Sequence, residues 1–501
     1  MQESKMVHIA ADGYALAAFI GYLILVTAIG VYATRFSSAG IREFFVGGRK
    51  MHRFVVALSA VVSGRSAWLL LGVTGMAYKM GASAVWAVVG YITVELFLFL
   101  FYARRLRRFS EAYDCVTLPD FFAERFADRD GRLRMLLSGI ILIFMVSYVA
   151  AQFVGGGKAF AASFHLDQTT GILLTAAIVL LYTMLGGFLA VSLTDMLQAI
   201  FMILALVILP VVAILHQGGL GVVLAQLQQI DPAMIDPFAL SLGAFLGFVG
   251  IGLGSPGNPH ILVRYMSIAD AEQLRISAVI GTIWNVVMAW GALFIGLVGR
   301  VYFPDASMLP GNDTENLYPL LAQQQLHPVL FGMVVASIFA AIMSTADSQL
   351  LVAASSVVRD VYEKVLHRDR PVPQRRLVLY SRLMVLLLVL LAIVLGLTAQ
   401  DLVFWLVLFA WAGLGASLGP TSILALFWRG TTRAGIVAGL LTGTAITLVW
   451  YYTPALKSTI YELVPAFFIA GLVTVVVSRL TTPPENANRM MDIMRGNRKT
   501  P

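Results

Sequence analysis

The sequence predicts an all-α polytopic membrane protein of about thirteen spans, two of them interrupted. Three observations predict it. The chain is 59% hydrophobic and only 12% charged, with a mean hydropathy of +0.83. Soluble domains run at about 45–50% apolar and about 25% charged. Apolar segments of span length recur along the whole chain, separated by loops whose basic content alternates. Two of those segments, five spans apart, hold residues that a continuous helix accommodates poorly.

The formal net charge of +8 would in isolation suggest nucleic acid. The basic residues are dispersed over alternate loops instead, so no nucleic-acid role is expected. Cys115 is the single cysteine, which excludes an internal disulfide and a cysteine-based metal cluster. Residues 1–11 are polar and show no cleavable signal pattern.

In chain order the spans lie near 12–34, 53–78, 83–103, 134–162, 169–187, 190–215, 238–263, 273–302, 328–357, 377–398, 401–428, 434–453 and 459–479. Gly186-Gly187 is the expected turn inside 169–215. Basic residues follow the first span (Arg35, Arg42, Arg49, Lys50, Arg53) and the third (Arg104, Arg105, Arg107, Arg108, Arg125). They recur after the seventh (Arg264, Arg275), the ninth (Arg359, Lys364, Arg368) and the eleventh (Arg429, Arg433), and in the tail (Arg489, Arg495, Arg498, Lys499). The loop 216–237 has no Lys or Arg, and 303–327 carries Asp305, Asp313 and Glu315. Positive residues stay inside, so the amino terminus is expected outside and the carboxyl terminus in the cytoplasm of a cell (plasma or inner) membrane. The loop 104–133 is expected to hold a short amphipathic helix on the cytoplasmic surface. The tail after Leu480 reads as short and mobile. The chain thus divides into an extra span with its loop (1–52), two five-span halves (53–215 and 238–428), and two closing spans with a tail (429–501).

The second span contains Ser59-Ala60-Val61-Val62-Ser63-Gly64-Arg65-Ser66-Ala67-Trp68. An arginine at mid-bilayer costs about 2.5–3.5 kcal/mol on insertion scales. Snorkelling to a helix end is disfavoured, because apolar sequence continues on both sides of Arg65. A residue of this kind faces a partner, a cavity or a ligand. The seventh span contains Gly252-Leu253-Gly254-Ser255-Pro256-Gly257-Asn258-Pro259-His260. Its glycines and prolines break the helix, and the freed backbone groups survive in a membrane only inside protein or against a wet cavity. A proline kink without a ligand would explain one such break. Two breaks an odd number of spans apart place equivalent helices in opposite directions, the pattern of a secondary transporter with its site at the membrane midplane.

The ninth span presents Ala336, Ala340, Ser344 and Ser348 at every fourth position, with Ser337, Ala341 and Thr345 beside them. Small stripes serve close helix packing. Ser344, Thr345 and Ser348 clustered around Asp347 add oxygen donors and a carboxylate, which suit sodium or a proton. Asp195, preceded by hydroxyls, is either part of an ion path or an exposed helix cap. Glu95 lies in an apolar span with no supporting pattern and receives no role. Trp68, Tyr148 and Gln152 either line a cavity or pack.

Leu185-Gly-Gly-Phe-Leu-Ala-Val-Ser-Leu-Thr-Asp195, the break at Gly254–His260 with Arg264-Tyr265-Met266, Ala341-Ile-Met-Ser-Thr345 with Gln349-Leu-Leu-Val352, and Leu118-Pro-Asp-Phe-Phe122 occur in order. The set resembles the sodium:solute symporter family over residues 12–480, with the sodium/proline branch nearest. The resemblance implies a LeuT-type five-plus-five inverted repeat, alternating access and uptake of a small organic solute, an amino acid such as proline or a carboxylate. It implies a sodium site built from the first break (Val62 and Arg65 by their backbone) and Ala341, Ser344 and Thr345, and a second ion at Asp195, Asp347 and Ser348. It implies substrate contacts at Ser63, Gly64, Trp68, Tyr148, Gln152, Ile251, Ser255 and Asn258. No organic cofactor is implied, and the chain is expected to act as a monomer or a loose oligomer in the bilayer.

The chain also departs from the branch. Anchored on Trp68, the branch has an aspartate important for sodium where this chain has Gly64, and an uncharged residue at Arg65. Two aromatics near the second break fall at Ile251 and Ser255 here. The Arg65 guanidinium either faces the cavity and binds a carboxylate, or takes the cation's place and pairs with Asp347 or Asp195, leaving proton coupling or none. Enzyme chemistry is disfavoured by scattered histidines and the lack of hydrolase motifs. A channel is disfavoured by the paired breaks. A solute sensor working with a separate signalling partner is the remaining rival.

Overall fold

The structure, a computed structural model, describes residues 13–37, 41–368, 370, 372–399 and 401–497. The polar segment 1–11 and the tail residues Arg498 and Lys499 lie outside the described residues. Among those described, nine helices are long and apolar enough to cross a membrane, and shorter apolar helices complete the set. In order they are α1 (Gly13–Ser37), α2 (53–80), α3 (85–112), α4 (Arg132–Phe164), α5 (Gln168–Met184), α6 (Gly187–His216) and α7 (242–267). There follow α8 (Leu274–Tyr302), α9 (Pro328–Leu366), α10 (Gln374–Thr398), α11 (Val403–Phe427), α12 (Arg433–Tyr452) and α13 (Leu463–Arg479). The α5–α6 turn falls at Gly187, whose φ of 59° is a left-handed value that glycine alone adopts freely.

Burial separates the inner helices from the outer ones. The small-residue stripe lets α9 pack against α1, α4, α5 and α6, and its membrane stretch is buried almost throughout. On α10, Leu379, Leu383, Leu387 and Leu390 face outward, as lipid contact requires. Both interrupted helices lie inside. The first half of α2 packs on α6 and α8, and the broken segment of α7 packs on α11 and α3. Glycine permits that approach: a methyl group at Gly254 would overlap the Trp411 indole, and one at Gly252 would overlap the Gly90 carbonyl.

Two expectations at the basic-loop end need correction. The loop 104–133 holds the expected short helix, but with its apolar face packed into the protein while Glu111, Asp114, Glu124, Arg129 and Arg132 stay exposed. The α3 helix runs on to Ala112, and a helix Leu118–Arg125, capped by Thr117 (Oγ1 accepts from Asp120 N, 3.0 Å), buries Phe121 and Phe122. The tail is not a loose extension either. Ala487–Arg495 is a helix whose Met490, Met491, Ile493 and Met494 are buried, and it docks on the end of α3. Arg108 donates to the Arg495 carbonyl at 2.7 Å, closing the helix end. Four apolar side chains within one turn and a half of helix supply the burial that a polar tail would lack.

Candidate functional site

The first half of α2 stops at Ser63. Gly64 and Arg65 donate in tight turns to the Val61 and Val62 carbonyls (3.1 and 3.0 Å), and Ser66 has φ 49°. A left-handed serine is uncommon and marks a backbone held by its surroundings. The freed amides find partners: Ala67 N donates to Gln152 Oε1 (3.0 Å) and Trp68 N to Ser66 Oγ (3.1 Å). Gln152, expected at the substrate, therefore holds the break open from α4. Its Nε2 is buried without a partner.

Arg65 does not pair with Asp347 or Asp195. Its guanidinium forms a buried ion pair with Glu95 on α3, donates through Nε to Asn285 Oδ1 on α8 (2.7 Å), and lies 3.8 Å from the centre of the Tyr91 ring. Asn285 Nδ2 in turn donates to Glu95 Oε2 (2.6 Å). These partners come from α3 and α8, so the side chain is drawn away from α9. Glu95 received no role from the sequence, although an intramembrane acid is a natural partner for an intramembrane base. The missing signal was register: only the fold brings span 3 beside the break in span 2. Glu95 Oε1, buried and unpartnered, lies against the bare face of Gly64.

The second break is a tight helical turn, 251–257, ended by Asn258 in an extended conformation. Its carbonyls are met from α11 and from within: Trp411 Nε1 donates to Ile251 O (2.7 Å), Ser422 Oγ to Pro256 O (3.0 Å) and Asn258 Nδ2 to Gly254 O (2.8 Å). Between the two breaks lies a chamber of ≈ 10 Å³, lined by Gly64, Arg65, Trp68, Tyr91, Tyr148, Ile251, Val407, Leu408 and Trp411. That is room for about one water. Of the residues expected at the substrate, Gly64, Trp68, Tyr148 and Ile251 line it. Ser63, Gln152, Ser255 and Asn258 do not: Ser63 turns towards Asp195 and Ser348 (3.4 and 3.5 Å), and Asn258 braces its own break. Tyr91, Val407, Leu408 and Trp411 are wall residues that no sequence pattern singled out. Towards the acidic-loop end the chamber is followed by a larger cavity of ≈ 250 Å³. Towards the basic-loop end lies one of ≈ 20 Å³, bordered by Arg264 and Ser348.

Next to the first break, α9 offers its hydroxyls. Thr345 Oγ1 donates to the Ser63 carbonyl (3.1 Å) and Ser344 Oγ to Ala341 O (3.2 Å). Carbonyl and hydroxyl oxygens gathered in this way are hard donors that fit sodium, and the Arg65 side chain is engaged elsewhere. Deeper in, Asp195 is fully buried rather than an exposed cap. Its Oδ2 accepts from Ser59 Oγ (2.6 Å) and pairs with Arg264 (3.2 Å). Arg264 also donates to Ser348, to Ser59 (3.0 Å) and to the His260 carbonyl (2.5 Å). Ser348 reaches Asp347 Oδ1 at 3.0 Å. Arg264 thus pairs with Asp195 directly and connects to Asp347 only through the Ser348 hydroxyl, and Asp195 Oδ1 and Asp347 Oδ2 are left without partners. The sequence offered Arg264 as part of a motif and as a basic loop residue after the seventh span; it is instead buried within α7 (1% exposed). The structure assigns it the contacts with Asp195 and Ser348.

The profile of the sodium:solute symporter family matches residues 44–443. The chain belongs to this family. Sodium/proline symporters of Staphylococcus aureus strains JH9 and NCTC 8325 are each 37% identical to it over 493 residues, covering 95% of both chains. A solved substrate-bound, outward-open Na+-coupled sialic acid symporter superposes with a TM-score of 0.80 at 18% identity, over 94% of this chain and 99% of that one. A nucleobase-cation-symport-1 family transporter in a closed conformation superposes at 0.56, with 13% identity, over 90% and 98%. The fold is therefore the LeuT type with two broken helices. The protein is a sodium-coupled solute symporter of the membrane and not an enzyme, with sodium as its coupling ion and a small solute and the bilayer as its partners.

Proposed function

We propose that this symporter imports a small zwitterionic or carboxylate-bearing solute of amino-acid size, with L-proline as the first candidate. One observation carries the reading: an arginine stands in the wall of a small aromatic chamber beside an unwound helix. A guanidinium has five N–H donors. Here Asn285, the Gly64 carbonyl and Glu95 engage one nitrogen each, so two N–H groups remain for a solute carboxylate. Trp68, Tyr148 and Trp411 supply apolar contact for the rest of the solute. Ile251, in place of an aromatic of the proline branch, takes up less space in the wall and leaves room for solutes slightly larger than proline.

Sodium is taken to bind at the Val62 and Arg65 backbone, Ala341, Ser344 and Thr345. Asp195, Asp347 and Ser348 are taken as a second cation-binding site, bordered by the Arg264 guanidinium. Arg65 does not substitute for sodium in this reading, because Glu95 neutralises it. The amino terminus lies outside and the carboxyl terminus in the cytoplasm, which makes the ≈ 250 Å³ cavity the outer vestibule. Alternating access then opens the chamber to one side at a time. Uptake of labelled L-proline into proteoliposomes tests the reading, with an inward sodium gradient and with choline in its place. A steep sodium requirement, lost together with uptake in Arg65→Ala, is expected. Equal uptake in choline would refute sodium coupling at this site, and uptake unaffected by Arg65→Ala would refute the arginine's role.

A further inference from the structure

We propose that a charged cavity at the basic-loop end holds the headgroup of an anionic phospholipid, of the kind phosphatidylglycerol carries. The cavity measures ≈ 370 Å³, within the range of about 300–1,000 Å³ found for ligand clefts. One wall is the turn from the helix Leu118–Arg125 into α4, and the other is the end of α9 with the residues that follow it. Gly131, at φ 70°, lets the two walls meet: a methyl group there would come within 2.7 Å of Val365 Cγ2. None of the residues assigned to the solute or to sodium borders this cavity.

The charges in its walls do not balance. Asp128 and Asp130 are both held by Arg433 at the start of α12, Asp128 at 2.7 Å. Arg134 is held by Asp120 (2.5 Å) and Asp360 (2.8 Å), with Glu124 4.0 Å away. Arg129, Lys364 and Arg368 remain, and none of them makes an ion pair among the described residues. The Arg368 guanidinium donates to the Arg129 carbonyl, which fastens the two walls together on the cationic side. Like charges gathered in one cavity repel. A phosphate set between them removes that repulsion and accepts hydrogen bonds from guanidinium and ammonium alike. The surroundings favour a lipid over a soluble phosphate. Leu366 is exposed between Lys364 and Arg368, and Met135 is exposed one position past Arg134. The neighbouring α10, packed on α4 and α9, turns Leu379 and Leu383 outward. Apolar surface beside cations suits acyl chains below a headgroup, and basic pockets between spanning helices take anionic headgroups in this way. A bound headgroup ties residues 129–131 to the end of α9, the helix that carries Ser344 and Thr345.

Thermal unfolding of the purified full chain in a neutral detergent is followed while dioleoyl phosphatidylglycerol or dioleoyl phosphatidylcholine is added. Phosphatidylglycerol is expected to raise the midpoint above the value reached with phosphatidylcholine. Arg129→Gln, Lys364→Gln and Arg368→Gln should each raise the half-saturating amount about fivefold. The paired control Arg375→Gln with Arg376→Gln removes two exposed cations outside the cavity, at the start of α10. It should leave that amount within about twofold, as screened surface charge allows. Native mass spectrometry gives a second readout: the parent is expected to retain one more phosphatidylglycerol than the chain with all three site substitutions. Equal midpoints in the two lipids would overturn the proposal. So would a control that weakens the effect as much as the site variants do, because diffuse surface charge would then explain it. Inorganic phosphate that reproduces the rise without lipid, at matched sodium, would assign the cavity to a free anion and overturn the lipid reading.

Discussion

Replacing Glu95 with glutamine removes the charge opposite Arg65 and keeps nearly the same shape. At an effective dielectric of about 20 and a separation of about 3 Å, the attraction lost is about 5 kcal/mol. Glutamine still offers a carbonyl oxygen to the guanidinium and to Asn285, so part is retained. Removing one member of a buried pair costs about 3–5 kcal/mol, and the lower figure is expected here. For a chain of this length that is a fall of about 5 °C in the unfolding midpoint, taking ~1.5 °C per kcal/mol. Thermal unfolding of purified protein in detergent, by intrinsic fluorescence, reads it. The decisive comparison is the double variant Arg65→Met with Glu95→Gln. Without an uncompensated cation it should recover at least half of the loss, although uptake stays absent. If Glu95→Gln unfolds within 1 °C of the parent, the pair is not carrying charge compensation. If the double variant is no more stable than either single one, the ion-pair account fails as well.

Thr345→Ala removes the hydroxyl that bonds α9 to the Ser63 carbonyl; the sodium concentration for half-maximal uptake should rise about tenfold, as expected for one lost ion donor worth ~1.4 kcal/mol, and an unchanged sodium curve would count against that donor set. Glu315 accepts from the Val403 and Phe404 amides (both 2.9 Å) and pairs with Lys158, so it caps α11 at its first turn. Glu315→Ala should cost about 2–3 kcal/mol and speed amide hydrogen exchange at 402–406 but not in α9. Glu462 has a carboxyl raised from 4.5 to about 7 in the folded protein, mainly by desolvation and with Lys457 opposing. The folded state therefore holds more protons than the unfolded one between pH 4.5 and 7, and this group's contribution to stability falls as pH rises through that window. Glu462→Gln should flatten that part of the pH–stability curve; an identical slope would assign it to other groups.

Spans, breaks and the charge alternation of loops were legible because each rests on local chemistry. Twenty apolar residues, a Gly-Pro cluster or a basic loop declare themselves within one window. The small stripe on α9 was readable for the same reason. The partner of Arg65 was not, because Glu95 is 30 positions away and only helix packing brings the two together. Arg264 was seen as a motif letter, yet its length lets it reach Asp195 on α6 and Ser348 on α9, contacts that spacing cannot express. The aromatic wall from Trp411 and Tyr91 escaped notice because aromatics in spans are common and position alone separates packing from lining. Gln152 and Asn258 show the reverse error. Polar residues beside a break look like ligand contacts, but here Gln152 takes up a free backbone amide and Asn258 a free backbone carbonyl. The tail helix was not legible because Pro483-Pro484 break the pattern just ahead of it and its four buried apolar residues fall in one short polar segment.

The near-closure of the central chamber bears on what an idle carrier does to the cell. Protons cross proteins by hopping along files of hydrogen-bonded water, and sodium crosses when oxygens replace its hydration shell step by step. A space of ≈ 10 Å³, about one water wide and deep, offers neither a file nor a staircase. A constriction of this size between the two broken helices separates the two faces of the membrane, which is what a stored ion gradient requires of every copy of the carrier.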